Sequence, residues 1–173
     1  MTRRGMRTRI LWLGCGPGRE LRSLNELREP LEVVLVDEDR AALEAAHSEA
    51  LRVRGIAGAD RLVTTLQGAS TELDAESLYA RFGSFDFIYI PSLAEPDLLA
   101  RLWPVVSPTG CLTAGSFNAG CSSRPHLDMW TSRRVVYRTP FELVGLGESL
   151  AGANCAIQMD PSQHQMFLTL ARS

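Results

Sequence analysis

Three glycines at alternate positions, Gly14, Gly16 and Gly18 in "GCGPG", stand directly behind the apolar run "ILWL" and directly ahead of Leu21, Leu24 and Leu27. Glycine reaches backbone angles closed to other residues and lets a ligand lie against the main chain. The first turn of the helix that follows adds N–H groups with no partner inside the helix. About twenty residues further on, "LEVVLVD" closes on Asp37. That is where a nucleotide-binding sheet sets the carboxylate that takes both ribose hydroxyls. Glycine loop plus acid reads as a seat for an adenosine-bearing cofactor. The dinucleotide fingerprint is GxGxxG, whereas the spacing here is GxGxG, with Arg19 at the place of the last glycine. So short a loop, without a dedicated pyrophosphate seat, suits a cofactor that has no phosphates.

Composition removes other chemistries. All 18 basic residues are arginine, so neither a Schiff-base lysine nor the phosphate-binding lysine of a P-loop is available. The absence of lysine fits a GC-rich genome. The four cysteines, Cys15, Cys111, Cys121 and Cys155, show no CxxC spacing. They read as reduced thiols of a cytoplasmic protein, neither a disulfide framework nor a zinc site. A net charge of −2 gives no argument for nucleic acid or an anionic membrane. No apolar run approaches the roughly 18 residues of a membrane span, and "ILWLG" is too short for a signal-peptide core.

The elements that must hold these residues alternate along the chain. "RILWLG" reads as a strand and residues 18–28 as a helix stopped near Pro30. "LEVVLVD" is a second strand, followed by a helix over 39–54 with Gly55 past its end. "RLVTTLQ", a weaker helix over 71–82, "FDFIYI", a helix over 95–106 interrupted at Pro104, and "GCLTAGSF" continue the pattern. Near-continuous apolar strands separated by helices indicate an α/β domain with a mostly parallel sheet covered on both faces. "CAIQMD" and "HQMFLTLA" are joined by "PSQ", too short for a crossover, so these two strands form an antiparallel hairpin. The expectation is one doubly wound, Rossmann-like domain over 1–173, with a seven-stranded sheet ending in that hairpin.

With those elements in place the chain resembles the class I S-adenosylmethionine-dependent methyltransferases over nearly its whole length. "ILWLGCGPGREL" is similar to their first motif, and Asp37 in "VVLVDED" to their ribose-binding acid. "FDFIYIPSL" is similar to the motif whose loop borders the transferred methyl, and "LLARLWPVVSPTGCLTAG" to their fourth helix and fifth strand. The hairpin is similar to their antiparallel seventh strand. The resemblance implies S-adenosyl-L-methionine as cofactor. It implies Gly14, Cys15, Gly16 and Gly18 in the cofactor loop, Asp37 and Glu38 at the ribose, Gly68 and Ala69 beside the adenine, and Pro91 beside the methyl. "SFNAGCSSRPHLDMWTSRRVVYRTPFEL" further resembles a bacterial subfamily that makes 3-hydroxy fatty acid methyl esters used as signals. That narrower resemblance implies an acidic small-molecule acceptor methylated on oxygen, with Asn118, Arg124, Tyr137 and Arg138 around it. Arg124 and Arg138 are the expected anchors, since arginine grips carboxylates with two parallel bonds.

Two positions depart from the family pattern. Trp12 stands where an acid often helps hold the methionine amine, and it reads as a core residue of the first strand. Ala69 stands where an acid often meets the adenine amine. These departures motivate an alternative: a cofactor-binding or degenerate methyltransferase-like domain that acts as a partner without catalysis. Enzymes of this fold often carry helices ahead of the first strand that cap the substrate, whereas here only "MTRRGMRT" precedes "RILWLG". The cleft is therefore expected to be open, or to be covered by the 117–135 segment, by a homodimer partner or by another chain.

Overall fold

The computed structural model describes residues 7–54, 56, 62–122, 124–130 and 135–172, without the side chains of 126, 127 and 130. Its sheet has the order β3-β2-β1-β4-β5-β8-β7. The strands are β1 (Thr8–Leu13), β2 (Leu31–Asp37), β3 (Val63–Gln67), β4 (Phe85–Ile90), β5 (Val106–Asn118), β7 (Ala153–Met159) and β8 (Gln165–Arg172), with β6 (Tyr137–Arg138) attached to β5 alone. β1 to β5 are mutually parallel, and β8 runs antiparallel to both β5 and β7. The α/β class, the parallel core and the terminal hairpin agree with the sequence pattern. The sheet has eight strands where seven are expected. "VVYR" supplies the extra one, since Tyr137 and Arg138 pair in parallel with Phe117 and Asn118.

Both faces of the central strands are buried, which is why they read as unbroken apolar runs. Leu11, Leu13, Val34 and Val36 join one core, and Ile10, Trp12, Val33 and Leu35 join the other. The first core is closed by Leu78 of α2 (Ala75–Phe82), by Leu98, Leu99 and Leu102 of α3 (Leu98–Leu102), and by Leu143 of α5 (Pro140–Glu148). The second is closed by Leu43, Ala46 and Ala50 of α1 (Arg40–Ala50) and by Leu21 and Leu24.

Leu21 and Leu24 belong to a 3-10 helix over Arg19–Glu26, not to an α-helix. Leu21, Leu24 and Leu27 are spaced by three throughout, which matches three residues per turn and not 3.6. The expected helix over 95–106 is shorter: α3 stops at Leu102 and a 3-10 turn over Trp103–Val105 carries Pro104. α4 spans Arg124–Trp130, and α5 is a helix that the sequence pattern did not reveal. α5 begins at a full capping box, in which Thr139 Oγ1 accepts from the Glu142 N–H and Glu142 accepts from the Thr139 N–H.

Chain order reverses between β1 and β4, so the crevice of the sheet opens at the carboxyl ends of those two strands. "GCGPG" leaves one of them and Pro91 the other. Among the described residues, no helix is long and apolar enough to cross a membrane.

Candidate functional site

Gly14, Gly16 and Gly18 all lie in the left-handed region, at φ of 59, 50 and 72 degrees. They do different work. A Cβ on Gly14 or Gly16 would meet nothing within 4 Å, so the main chain there faces open space. A Cβ on Gly18 would lie 2.8 Å from the Cα of Ala46, so Gly18 is the point where the loop lies against α1.

Asp37 braces this loop from the next strand. It is 8% exposed, its Oδ2 accepts from the Gly16 N–H at 2.8 Å and its Oδ1 from the Asp39 N–H at 3.0 Å. A carboxylate offers about four acceptor positions, so each oxygen keeps capacity for a ribose hydroxyl. The cap of α1 is Asp39, which accepts from the Ala41 and Ala42 N–H groups; Asp37 is thus spared that task. Glu38 is exposed, and its main-chain oxygen takes the Gln67 amide at 3.3 Å. Gly68 donates its N–H to the Asp37 carbonyl at 3.0 Å, which sets Gly68 and Ala69 beside the same edge.

Cys15 points the other way. It is buried in the core, and burial, with the Asp37 charge second, pushes its thiol up to about 12. Its thiol stays protonated at neutral pH, and its main chain belongs to the loop.

The loop after β4 is fixed by a residue that sequence reasoning missed. A Cβ on Gly115 would lie 2.2 Å from the Pro91 carbonyl oxygen, and the Gly115 carbonyl accepts from the Leu93 N–H at 2.7 Å. β5 is therefore bare at this position so that the Pro91 loop can rest on it. The sequence signal was a lone glycine inside a strand pattern, which marks a close backbone approach.

Arg138 holds that loop from the far side. It is 6% exposed, and its guanidinium donates to the Leu93 and Ala94 carbonyls and to Ser116 Oγ. Burial holds its pKa below the ordinary arginine value. The expectation that Arg138 grips an acidic acceptor fits this placement poorly, because the side chain is buried and three of its five donors are used inside the protein. Asn118 is likewise engaged: its amide donates to the Gln163 carbonyl at 3.0 Å and its Oδ1 accepts from the Gly120 N–H at 3.0 Å.

Arg124 and Tyr137 meet at the rim. The Arg124 guanidinium lies 4.5 Å over the Tyr137 ring, and the Tyr137 hydroxyl donates to Asp128 at 2.8 Å. Loss of solvent, reinforced by that bond to Asp128, pushes Tyr137 up to about 12, so its hydroxyl stays protonated at neutral pH. Arg124 keeps about half of its side chain exposed. Arg133 and Arg134 lie outside the described residues, as does Gly55.

Trp12 is buried, as its core reading expects, and its ring meets Tyr89 edge-on at 4.8 Å. Asp86 is structural: it accepts from the Arg9 N–H and from Ser107 Oγ. Among the described residues, no group of His, Cys, Asp and Glu is placed to hold a metal ion.

No family model and no curated protein matches this sequence. Solved structures do resemble it. A Nostoc punctiforme protein provisionally designated an O-methyltransferase overlays at a TM-score of 0.69 with 15% identity, covering 94% of this chain and 51% of its own. DhpI in complex with SAM and HEP overlays at 0.64 with 16% identity, covering 97% of this chain and 80% of its own. A TehB-like SAM-dependent methyltransferase from Corynebacterium glutamicum overlays at 0.61 with 16% identity, covering 98% and 83%. The chain thus spans about half the length of the Nostoc protein. At these identities the likeness establishes the fold, which is that of SAM-dependent methyltransferases. It does not single out the 3-hydroxy fatty acid ester subfamily.

Proposed function

We propose that the chain binds S-adenosyl-L-methionine and moves its methyl group to an oxygen of a small acidic acceptor. The observation that carries this is Asp37. Its carboxylate sits at the switch point with one hydrogen bond to each oxygen, beside glycines whose main chain faces open space. Asp37 would take the ribose hydroxyls, Gly14 and Gly16 would let the cofactor lie on the main chain, and Gly68 and Ala69 would flank the adenine. The cofactor, when bound, supplies an electrophilic methyl on a sulfonium.

The protein's part is then alignment and exclusion of water. Pro91, fixed by Gly115 and Arg138, would border the reacting atoms. Among the described side chains at this edge, Cys15 and Tyr137 both hold their protons at neutral pH. An acceptor carboxylate is already ionised there and asks for no base. Arg124 is the described cation at the rim with exposed donors.

Calorimetry with S-adenosylhomocysteine tests the cofactor half. Asp37→Ala removes two charge-assisted bonds of about 1.5–3 kcal/mol each, less what water restores, so affinity is expected to fall about 100-fold. Wild-type affinity in a variant that melts normally would misplace the site. Mass spectrometry of products from a panel of carboxylic acids and phenols tests the transfer half. Binding without turnover on any of them would favour the non-catalytic alternative.

A further inference from the structure

The glycine loop and Asp37 lie between two segments that are distant in the sheet. One follows β3 and the other follows β4, and β2 and β1 stand between them. Three strand spacings put β3 and β4 about 14 Å apart. The segment after β3 begins at Gly68, whose N–H is bound to the Asp37 carbonyl, and bends at once into a 3-10 turn over Ser70–Glu72. No residue of that turn is buried, so the turn has no core contact of its own to anchor it. Its main-chain bonds are local, from the Glu72 N–H to Ala69 and from the Leu73 N–H to Ser70. Bonds in a 3-10 turn are of poorer geometry than those of an α-helix, and each carbonyl keeps a second acceptor position.

Arg101 of α3 fills those positions. Its Nη1 donates to the Ser70, Thr71 and Leu73 carbonyls at 3.4, 2.9 and 3.2 Å. Its Nη2 donates to Glu95 Oε2 at 3.0 Å, and its Nε stands 3.3 Å from Asp97 Oδ2. Converging carbonyls suit a cation, and the planar guanidinium serves partners on different edges at the same time. Glu95 directly follows Ala94, whose carbonyl, with that of Leu93, is held by Arg138. The segment after Pro91 thus meets two arginines, and the second of them reaches across to the turn after β3. With side chains 28% and 34% exposed, the Arg101–Glu95 pair adds little stability. What it supplies is a fixed relation between two segments on opposite sides of the glycine loop.

We propose that Arg101 is a positioning residue for the bound cofactor. By holding the turn after β3 and Glu95 together, it sets the span between the side of the crevice that takes the nucleoside and the side that takes the sulfur end. It acts through Gly68 and Ala69 on the first side and through the Pro91 segment on the second. This role rests on the cofactor reading given above. A ligand that fills only the nucleoside side needs the turn in place, whereas a ligand that reaches both sides needs the tie to Glu95 as well.

The test compares adenosine with S-adenosylhomocysteine on the whole chain. Calorimetry reads S-adenosylhomocysteine, titration of the Gly68 amide resonance reads adenosine, and thermal melts are taken on the same samples. Arg101→Met frees the turn and cuts the tie, and it is expected to weaken both ligands about tenfold, the equivalent of one hydrogen bond lost from the seat. Glu95→Ala keeps the three carbonyl bonds and cuts the tie alone. It is expected to weaken S-adenosylhomocysteine about tenfold and adenosine less than about twofold, with the melting temperature nearly unchanged. A role confined to stability would lower melting temperatures and leave the affinities of the folded variants as they are. Wild-type affinity for S-adenosylhomocysteine in both variants would therefore overturn the proposal. Should Arg101→Met fail to fold, Glu95→Ala decides, and an equal change for the two ligands would overturn the proposal. A wild type that binds neither ligand would sink the cofactor reading and this role with it, whereas a wild type that binds both, with variants that bind them equally well, would sink this role alone.

Discussion

Arg138→Met separates a structural arginine from one that serves the acceptor. The wild-type guanidinium spans β6, the Leu93–Ala94 loop and Ser116. Hydrogen bonds from a charged donor contribute about 1.5–3 kcal/mol each, and a buried acceptor stripped of its donor costs about 1–3 kcal/mol. Methionine fills much of the same volume but leaves two carbonyls without donors, one of them on Leu93, which is 1% exposed. Against this stands relief from burying a charge, the same burial that lowers the pKa of Arg138. The net expectation is a loss of about 2–4 kcal/mol. With a urea slope of about 2 kcal/mol per molar, the unfolding midpoint should fall by about 1–2 M at constant slope. Arg138→Lys keeps one point-charge donor and should fall between the two. Arg124→Met is the control: its guanidinium is exposed over Tyr137 and 3.8 Å from Asp128, so stability should change by under about 1 kcal/mol. Its effect should appear in acceptor KM. If Arg138→Met left the midpoint in place and raised acceptor KM instead, the structural assignment would be wrong.

The glycine loop and the cap of α5 give two further outcomes. Gly16→Ala finds open space and should lose only about 1–2 kcal/mol to its left-handed backbone, yet weaken S-adenosylhomocysteine at least about tenfold by blocking the approach to the main chain. Gly18→Ala overlaps Ala46 at 2.8 Å and should lower the melting temperature more than Gly16→Ala does; thermal melts with calorimetry read both. The Glu142 carboxyl is held below the ordinary glutamate range, first because it accepts from the Thr139 N–H and then from the Thr139 hydroxyl. A carboxyl depressed on folding contributes stability above its unfolded pKa and loses it as pH falls through the folded one. Wild-type melting temperature should therefore drop more than that of Glu142→Gln between pH 4.5 and about pH 3, and identical pH slopes would count against the capping box.

What could be read from the sequence was whatever is written in neighbouring residues. Buried parallel strands show as apolar runs, and the GxGxG loop with Asp37 declares a cofactor edge because strand ends and turn glycines are local features. The strict spacing of Leu21, Leu24 and Leu27 held the 3-10 geometry in plain view, but a spacing of three was read as a loose α-helical pattern. The engagement of Arg138 was hidden for a different reason. An arginine near a cleft reads as a ligand, and nothing local tells whether its donors are already taken. For Arg138 two are taken by Leu93 and Ala94, more than forty positions away along the chain. Trp12 was legible as core but not as a donor that finds no partner among the described residues, since pairing depends on what packs beside it.

The two edges of the crevice are held by different means, and this bears on which of them can change. On the cofactor side the brace is main chain to carboxylate: Gly16 N–H to Asp37, and Gly68 N–H to the Asp37 carbonyl. Such bonds ask only for a glycine turn and one acid, and neither Trp12 nor Ala69 takes part in them. On the acceptor side the loop after Pro91 is clamped between Gly115, where β5 has no side chain to keep it away, and Arg138, which reaches over from β6. A side chain at Gly115 would push the Pro91 carbonyl by more than 1 Å from its present 2.2 Å clearance, and a misplacement of about 1 Å can cost about 100-fold in rate. Under the proposed methyl transfer, which needs donor and acceptor in line, this clamp would bear on rate where the Asp37 brace would bear on affinity.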